Sequence, residues 1–556
     1  MCRKSPVSIS PGIFKLIEKK AWSYETEGWC DMKGIWNLFY RLFGLTRKLL
    51  KLMSTRMFII LAALALELVW IVGLILILNE ESIYVTYVLT VVALITVLWL
   101  VNQNLNPGYK LMWTFCILVF PVVGIILYAV LGHSRLVHKF RLAYDEVLLK
   151  NRDIFHNEDF WEKYLEKENP GVAGQCRYLR KYAHAPLYSN TKTEYFAVGE
   201  DWFERYLEEL KKAEHYIFME YFIIAEGYLW DAVLEVLKEK AAAGVEVRLI
   251  YDDLGCVNTL PAQYYKTLQS YGIRCAAFNQ FRPVLNVVMN NRDHRKITVI
   301  DGHTAFTGGI NLADEYINKK MRFGHWKDSG IWLYGDAVWS FTVMFLQMWS
   351  VITRTECDFE KYRPHVYHIA EFEPDGFVQP YGDSPMDSET VGESVYLNII
   401  NYAKRYLYIF TPYLIPDNET LTALCQAAKR GVDVRIVTPA IPDKKIVFLL
   451  TQSYYEPLLE AGARIYQYLP GFIHSKSFVC DDEMATCGTV NVDYRSLYLH
   501  FECGVFLYKN SSVSQIRQDA EDTFAISEEI DLESVRSRGV PVRILQSVLR
   551  LFAPLL

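Results

Sequence analysis

The segment AEHYIFMEYFIIAEGYLWDAVLEVLKEKAAAGVEVRLIYDD, Ala213 to Asp253, recurs in the chain as AKRYLYIFTPYLIPDNETLTALCQAAKRGVDVRIVTPA, Ala403 to Ala440. Each copy opens with a β-rich run and a turn, then continues with apolar residues spaced near 3.6. A Gly stands where the helix would stop, and a second β-branched run closes the unit. Gly244-Val245-Glu246-Val247-Arg248 matches Gly431-Val432-Asp433-Val434-Arg435. Strand–helix–strand units of this length imply parallel pairing, with helices over the sheet faces. The repeat predicts two duplicated α/β domains packed about a pseudo-two-fold.

The chemistry sits at the same place in each copy. The first has His294-Arg295-Lys296, then Ile297 to Ile300, Asp301, and Gly308-Gly309-Ile310-Asn311. The second has His474-Ser475-Lys476, Ser477 to Cys480, Asp481, and Gly488-Thr489-Val490-Asn491. From His to Asn is 17 positions in both (311 − 294 and 491 − 474). On a strand, residues i and i+2 share a face, so each His and Lys would project side by side. An imidazole can attack phosphorus or carry a proton, and an ammonium can hold phosphoryl oxygens. Asn adds an amide donor, and a Gly-rich turn lets backbone N–H groups approach the same oxygens. Displacement at phosphorus needs both a nucleophile and an acid for the leaving oxygen. Two facing copies supply both, with groups that require no metal and no cofactor.

The motif carboxylates read differently. Asp301 and Asp481 lie seven positions from their histidines (301 − 294, 481 − 474), an odd separation that turns them away on a continuing strand. They count as catalytic-motif members, with a structural part expected. Asp328 and Glu502, each about one strand beyond its motif, are the candidates to orient the imidazoles and fix their tautomers.

With 556 residues, 51% hydrophobic and 22% charged, the chain is too long for one domain and too apolar for disorder. Its 11 Cys form no CxxC pair, which reads as reduced thiols rather than a disulfide frame or a zinc site. Residues 1–56 hold 11 Lys/Arg against 4 Asp/Glu, so a +7 head precedes a remainder of −13. That balance suits an anionic surface near the N-terminus and disfavours nucleic acid. Met57–Leu78, Ile83–Val101 and Leu111–Leu131 are long apolar runs, and about 20 residues cross a bilayer core. Basic flanks on both sides place the C-terminal body in the cytosol, which two spans plus one re-entrant segment satisfy. Phe120-Pro121-Val122-Val123-Gly124 breaks the third run where either a kink or a re-entrant turn would sit, which leaves the number of spans open. Gly34 to Met53 interleaves aromatic and basic residues, as an interfacial helix on anionic lipid would, or as an ordinary flank of the first span. The chain therefore divides into a basic segment 1–56, a transmembrane region 57–132, a linker 133–189, and two α/β domains, 190–370 and 371–556.

The paired HxKxxxxD motifs resemble the phospholipase D superfamily, and the fuller set resembles its bacterial cardiolipin synthase family. That set is Asn106-Pro107-Gly108-Tyr109-Lys110 before an apolar run with Pro121 and Gly124 that ends Leu127-Tyr128 and Gly132, then Glu220-Tyr221-Phe222, Gly308 to Asn311, Thr411-Pro412-Tyr413, Gly431 to Arg435 and Asn491 to Ser496 (NVDYRS). The resemblance covers roughly residue 57 to the C-terminus. It implies two phospholipase D-like α/β domains behind a helical transmembrane region at the cell membrane. It also implies metal-independent transphosphatidylation of two phosphatidylglycerols to cardiolipin and glycerol. His294 would be the nucleophile and His474 the proton carrier, with Lys296, Lys476, Asn311 and Asn491 on the phosphate. Glu502 would serve His294, and Asp328 would serve His474. His500 departs from the pattern, standing where the family usually has Asn. A membrane-bound phospholipase D hydrolase or another phosphatidyltransferase would share these catalytic residues. An inactive membrane scaffold is a remote alternative, since both His and both Lys are present. Copy symmetry leaves open which His attacks.

Overall fold

Both β-branched runs of each repeat become neighbouring parallel strands, and the motif strands insert beside them in the opposite direction. The computed structural model describes residues 80–131, 135–155, 159–280 and 290–555. The basic segment 1–56, its candidate interfacial helix and the first apolar run, Met57–Leu78, lie outside the described residues.

The first domain holds β1 (Thr191–Phe196), β2 (Tyr216–Tyr221), β3 (Glu246–Asp252), β4 (Arg274–Phe278), β5 (Ile297–Ile300), β6 (Thr304–Gly308), β7 (His325–Lys327) and β8 (Gly330–Gly335). All but β7 form one sheet in the order β1-β8-β6-β5-β2-β3-β4. The second domain holds β9 (Phe377–Asp383), β10 (Tyr406–Phe410), β11 (Asp433–Pro439), β12 (Arg464–Tyr468), β13 (Gly471–Ile473), β14 (Ser477–Cys480), β15 (Met484–Gly488), β16 (Glu502–Tyr508) and β17 (Ser527–Ile530). Its sheet runs β17-β12-β11-β10-β14-β15-β16-β9. The order repeats that of the first sheet strand for strand, with β17 added at one edge. Within each repeat the pairing is parallel, β2 on β3 and β10 on β11. The motif strands β5 and β14 join antiparallel to β2 and β10. Both sheets are therefore mixed.

Helices Val338–Thr353 and Ser511–Ala525 lie between the two sheets. Their Phe341, Phe345, Ile516 and Phe524 join Phe218 and Ile297 of one sheet and Val479 and Val505 of the other in one buried cluster. Phe345 stacks on Phe218 with ring centroids 4.7 Å apart. Burying one such side chain is worth about 1.5–3 kcal/mol, so this shared core clamps the duplicated halves together. Separate clusters fill the outer faces of the two sheets.

Ahead of this body come α1 (Glu80–Val101), α2 (Pro107–Val119) and α3 (Pro121–Leu131). Asn106 caps α2 by accepting from Gly108 N–H at 2.8 Å, and Pro107 sits where its missing N–H costs nothing. Pro121 cannot donate to the ladder of α2, and the chain folds back on itself there. Trp113 and Tyr128 meet with ring centroids 5.2 Å apart, whereas 15 residues of straight helix would span about 22 Å. Gly124 permits the return, since a Cβ there would lie 2.4 Å from the Cys116 carbonyl oxygen. Among the described residues no helix is long and apolar enough to cross a membrane. The second apolar run forms most of α1, and the third forms the α2–α3 hairpin.

Candidate active site

The leads into the two motif strands are exchanged between the halves. Phe501 N–H donates to Arg292 O at 2.8 Å, and His294 N–H donates to Phe501 O at 2.9 Å. In the mirror arrangement β13 pairs in parallel with β7, and His474 N–H donates to Lys327 O at 2.7 Å. The residue after each of these partner segments is a carboxylate, Glu502 in one case and Asp328 in the other. Backbone pairing thus delivers each carboxylate to the histidine of the opposite repeat.

His294 Nδ1 lies 2.9 Å from both carboxylate oxygens of Glu502, and His474 Nδ1 lies 2.6 Å from Asp328 Oδ2. Thr489 donates its hydroxyl to Glu502, and Ser329 N–H donates to Asp328 Oδ1 at 2.9 Å. A Cβ on Gly309 would fall 2.0 Å from Asp328 Oδ1, so glycine is required for that carboxylate to reach its place. Aromatic rings wall both imidazoles. Phe222 stands 4.9 Å from His294, while Trp326, Tyr316 and Phe472 stand 5.5, 5.6 and 5.8 Å from His474 (ring centroids).

This dry setting polarises the titrations. Burial pushes the His294 imidazole down to about 3, against the pull of Glu502, so the ring is neutral. Burial alone would raise Glu502, but the attraction it gains whenever the His294 ring is protonated, together with the hydrogen bond from that ring, outweighs burial and holds the carboxylate below its usual range. Burial, with the nearby Lys476 and Lys296 charges, likewise keeps His474 well below its ordinary value. Asp328 differs from Glu502, because burial raises it to about 7 despite Lys476, Lys296 and His294. The two dyads are therefore close enough to sense one another, and they are not equivalent.

Lys296 and Lys476 are buried to 1% exposure, and each donates to the backbone carbonyl of its own motif histidine, Lys296 at 2.5 Å. Desolvation lowers Lys296 to about 7 and Lys476 to about 8, and the Lys476 charge adds to the depression of Lys296. An anion seated between them would restore both charges. Affinity for inorganic phosphate is accordingly expected to fall about tenfold or more between roughly pH 7 and pH 9, with net proton uptake on binding in that window. Calorimetry in buffers of different ionisation enthalpy reads the uptake. A flat profile would mean that the lysines stay charged without the anion.

Arg295, between His294 and Lys296, points the other way and pins the motif to β2. Its Nη2 meets Glu220 Oε1 at 2.5 Å and its Nε meets Asp293 Oδ1 at 3.2 Å, all nearly inaccessible. Asn311 spends its oxygen on Ile223 N–H at 3.0 Å and one amide N–H on the Tyr316 hydroxyl at 2.8 Å. Part of the donor capacity assigned to phosphate is thus used in holding Tyr316 beside His474. Asn491 Oδ1 is buried and has no hydrogen-bond partner among the described residues.

Asp301 and Asp481 sit at the far ends of β5 and β14, away from the imidazoles. A turn puts them there, not strand parity, since both adopt left-handed backbone, φ 48° and 56°. Asp301 accepts from the N–H groups of Glu214, His215 and Tyr216 at 2.7, 2.8 and 2.7 Å. Asp481 does the same for Lys404, Arg405 and Tyr406. Each carboxylate fastens its motif hairpin to the start of the repeat's first strand. Asp301→Ala is expected to cost about 2–4 kcal/mol by stranding those donors, while the folded fraction keeps its turnover number. Chemical denaturation alongside active-site titration separates the two effects.

The repeat pattern did not single out Thr489, Tyr316, Trp326 or Phe222 for these positions. Thr489 stood in view within the Gly488–Asn491 turn, but its partner lies on another strand. His500 closes the wall beside His294, with ring centroids 5.5 Å apart and its Nδ1 3.7 Å from Glu502 Oε1. His294, His500 and Glu502 bring potential metal ligands within 4.8 Å of one another, as do Glu393, Asp417 and Glu419. In the first trio His294 Nδ1 and Glu502 already satisfy each other. In the second, Asp417 caps a helix through Thr420 N–H.

A family model described as "Cardiolipin synthase, PLD-like domain" matches residues 206–338 and 396–524, and one described as "Phospholipase_D-nuclease N-terminal" matches residues 88–133. An uncharacterized protein of Streptococcus mutans is 41% identical over 83% of this chain and 99% of its own length. A cardiolipin synthase of Geobacillus is 36% identical over 82% of this chain and 90% of its own, and one of Halalkalibacterium halodurans 34% over 88% and 95%. The crystal structure of phosphatidylserine synthase from Haemophilus influenzae shares the fold, with a TM-score of 0.53 at 13% identity, covering 69% of this chain and all of that one. With two HxKxxxxD repeats facing each other across exchanged strands, the chain belongs to the cardiolipin synthase family of the phospholipase D superfamily.

Proposed function

We propose that this protein is a cardiolipin synthase that joins two phosphatidylglycerols and releases glycerol. His294 Nε2 attacks the phosphorus of the first lipid, the bond to the glycerol oxygen breaks, and His474 gives that oxygen its proton. The resulting phosphatidyl-imidazolium leans on Glu502. The terminal hydroxyl of a second phosphatidylglycerol then attacks phosphorus, the P–N bond breaks, and His474 takes the hydroxyl proton. Lys296 and Lys476 hold the phosphoryl oxygens through both steps, and the chemistry calls on no metal.

One observation carries this reading: each imidazole is held through Nδ1 by the other half's carboxylate, which leaves both Nε2 atoms for the substrate. The unequal dyads support the order of attack. Neutral His294 beside ionised Glu502 offers a lone pair, whereas the Asp328–His474 pair keeps a proton near neutral pH. Tethering of residues 57–132 in a bilayer, with the body on the cytosolic side, belongs to the same proposal. The anionic lipid substrate does not leave its membrane.

The test is the purified full chain in phosphatidylglycerol vesicles with chelator. Cardiolipin and glycerol in equal amounts are expected. Phosphatidic acid as the product would replace the transferase by a hydrolase.

A further inference from the structure

The last long helix, Val540–Leu551, is built inside out. It touches the body along a narrow strip where Gln546 is buried, donating to Leu449 O at 3.1 Å, and Leu549 joins a small cluster with Leu450 and Tyr454. Its apolar residues face outward instead: Val540, Ile544, Leu545 and Val548 are 68%, 60%, 47% and 48% exposed. At about 100° per residue, Val540, Ile544 and Val548 fall within an arc of roughly 80°. Such a stripe belongs against an apolar phase, and nothing in the body covers it among the described residues.

Two features identify the phase. The stripe is edged by cations: Arg543 is half exposed beside Glu456, and Arg550 lies over the Tyr454 ring at 4.5 Å. Exposed Lys444 and Lys445 stand at the start of the neighbouring helix, which also exposes Ile446. Apolar side chains rimmed by Arg and Lys match an anionic bilayer surface, where the long stems lie flat and the charges reach phosphate. The stripe also continues into the α2–α3 hairpin. Phe552 packs edge-on against Phe115 of α2 at 6.1 Å, and α2 exposes Leu111, Leu118 and Val119.

We infer that Val540–Leu551 is an interfacial helix that lays its outer face into an anionic lipid leaflet beside α2 and so seats the catalytic body on the membrane. The inference rests on the lipid substrate proposed above, but its test does not use the reaction. A photoreactive benzophenone amino acid is placed at Ile544 or Val548 of the full chain, with Gln518, exposed on the body, as the control site. The protein is irradiated in phosphatidylglycerol vesicles, and adducts are identified by mass spectrometry. Phospholipid adducts at 544 and 548 about tenfold above those at 518 are expected for a helix embedded at the interface. Crosslinks to a second copy of the chain would overturn the inference by making the stripe a subunit contact. Lipid capture no higher than at 518 would overturn it as well, by leaving the stripe in water. Failure to form cardiolipin in the same vesicles would count against the proposed reaction and leave the adduct result to stand or fall separately.

Discussion

Replacing His294 with Ala removes the atom that bonds to phosphorus, and cardiolipin formation is expected to fall about ten-thousandfold or more. No neighbour can stand in. His474 is bound to Asp328 on the other side of the cleft, and His500 lacks a carboxylate within hydrogen-bond distance. The fold should survive, because the His294 side chain contributes one hydrogen-bonded pair with Glu502 and a contact with Phe222. The check is cardiolipin yield from labelled phosphatidylglycerol, with the thermal transition of the variant as a folding control. Near-normal turnover in a folded His294→Ala protein would remove the nucleophile from the account.

Glu502→Gln is the second large effect, for a different reason. The carboxylate accepts from His294 Nδ1 and from the Thr489 hydroxyl while fully buried. A neutral amide in its place no longer requires Nδ1 to carry the proton, so the imidazole is free to present N–H instead of a lone pair. It also stops stabilising the positive ring that forms on attack. Turnover is expected to drop about a thousandfold or more, with substrate binding little changed, as when the orienting carboxylate of a catalytic triad is neutralised. The binding constant for a non-reactive phosphate ester separates the two. Loss of affinity equal to the loss of rate would mean that Glu502 serves binding instead.

The duplication was legible because each repeat restates its whole pattern, down to the Gly-Val-acid-Val-Arg that ends each helix and begins the next strand. The break at Pro121 was also legible, since proline lacks the N–H a helix needs there. The direction the chain takes after it was not, because that depends on Gly124 meeting the Cys116 carbonyl across the turn. Asp328 and Glu502 stood out by position, and their crossed assignment to the histidines came from the family resemblance. The geometry that joins each to the opposite histidine arises from backbone pairing across some 146 to 208 residues of sequence, which no local period records. The same holds for Asn311, whose nearest obligation is to Tyr316, and for Asp301, where a left-handed turn replaces the assumed strand. The C-terminal helix shows the converse. Apolar spacing alone does not say whether such a face is covered, and only the packing reveals that Val540, Ile544 and Val548 point outward.

The most direct measurement of the central claim is to stop the reaction of phosphate-labelled phosphatidylglycerol early, digest the protein and sequence the labelled peptide. An acid-labile, base-stable phosphoramidate is expected on the peptide bearing His294, formed in the presence of chelator and discharged by added phosphatidylglycerol. Label on His474 instead, or cardiolipin formed with no labelled protein at any time, would contradict it.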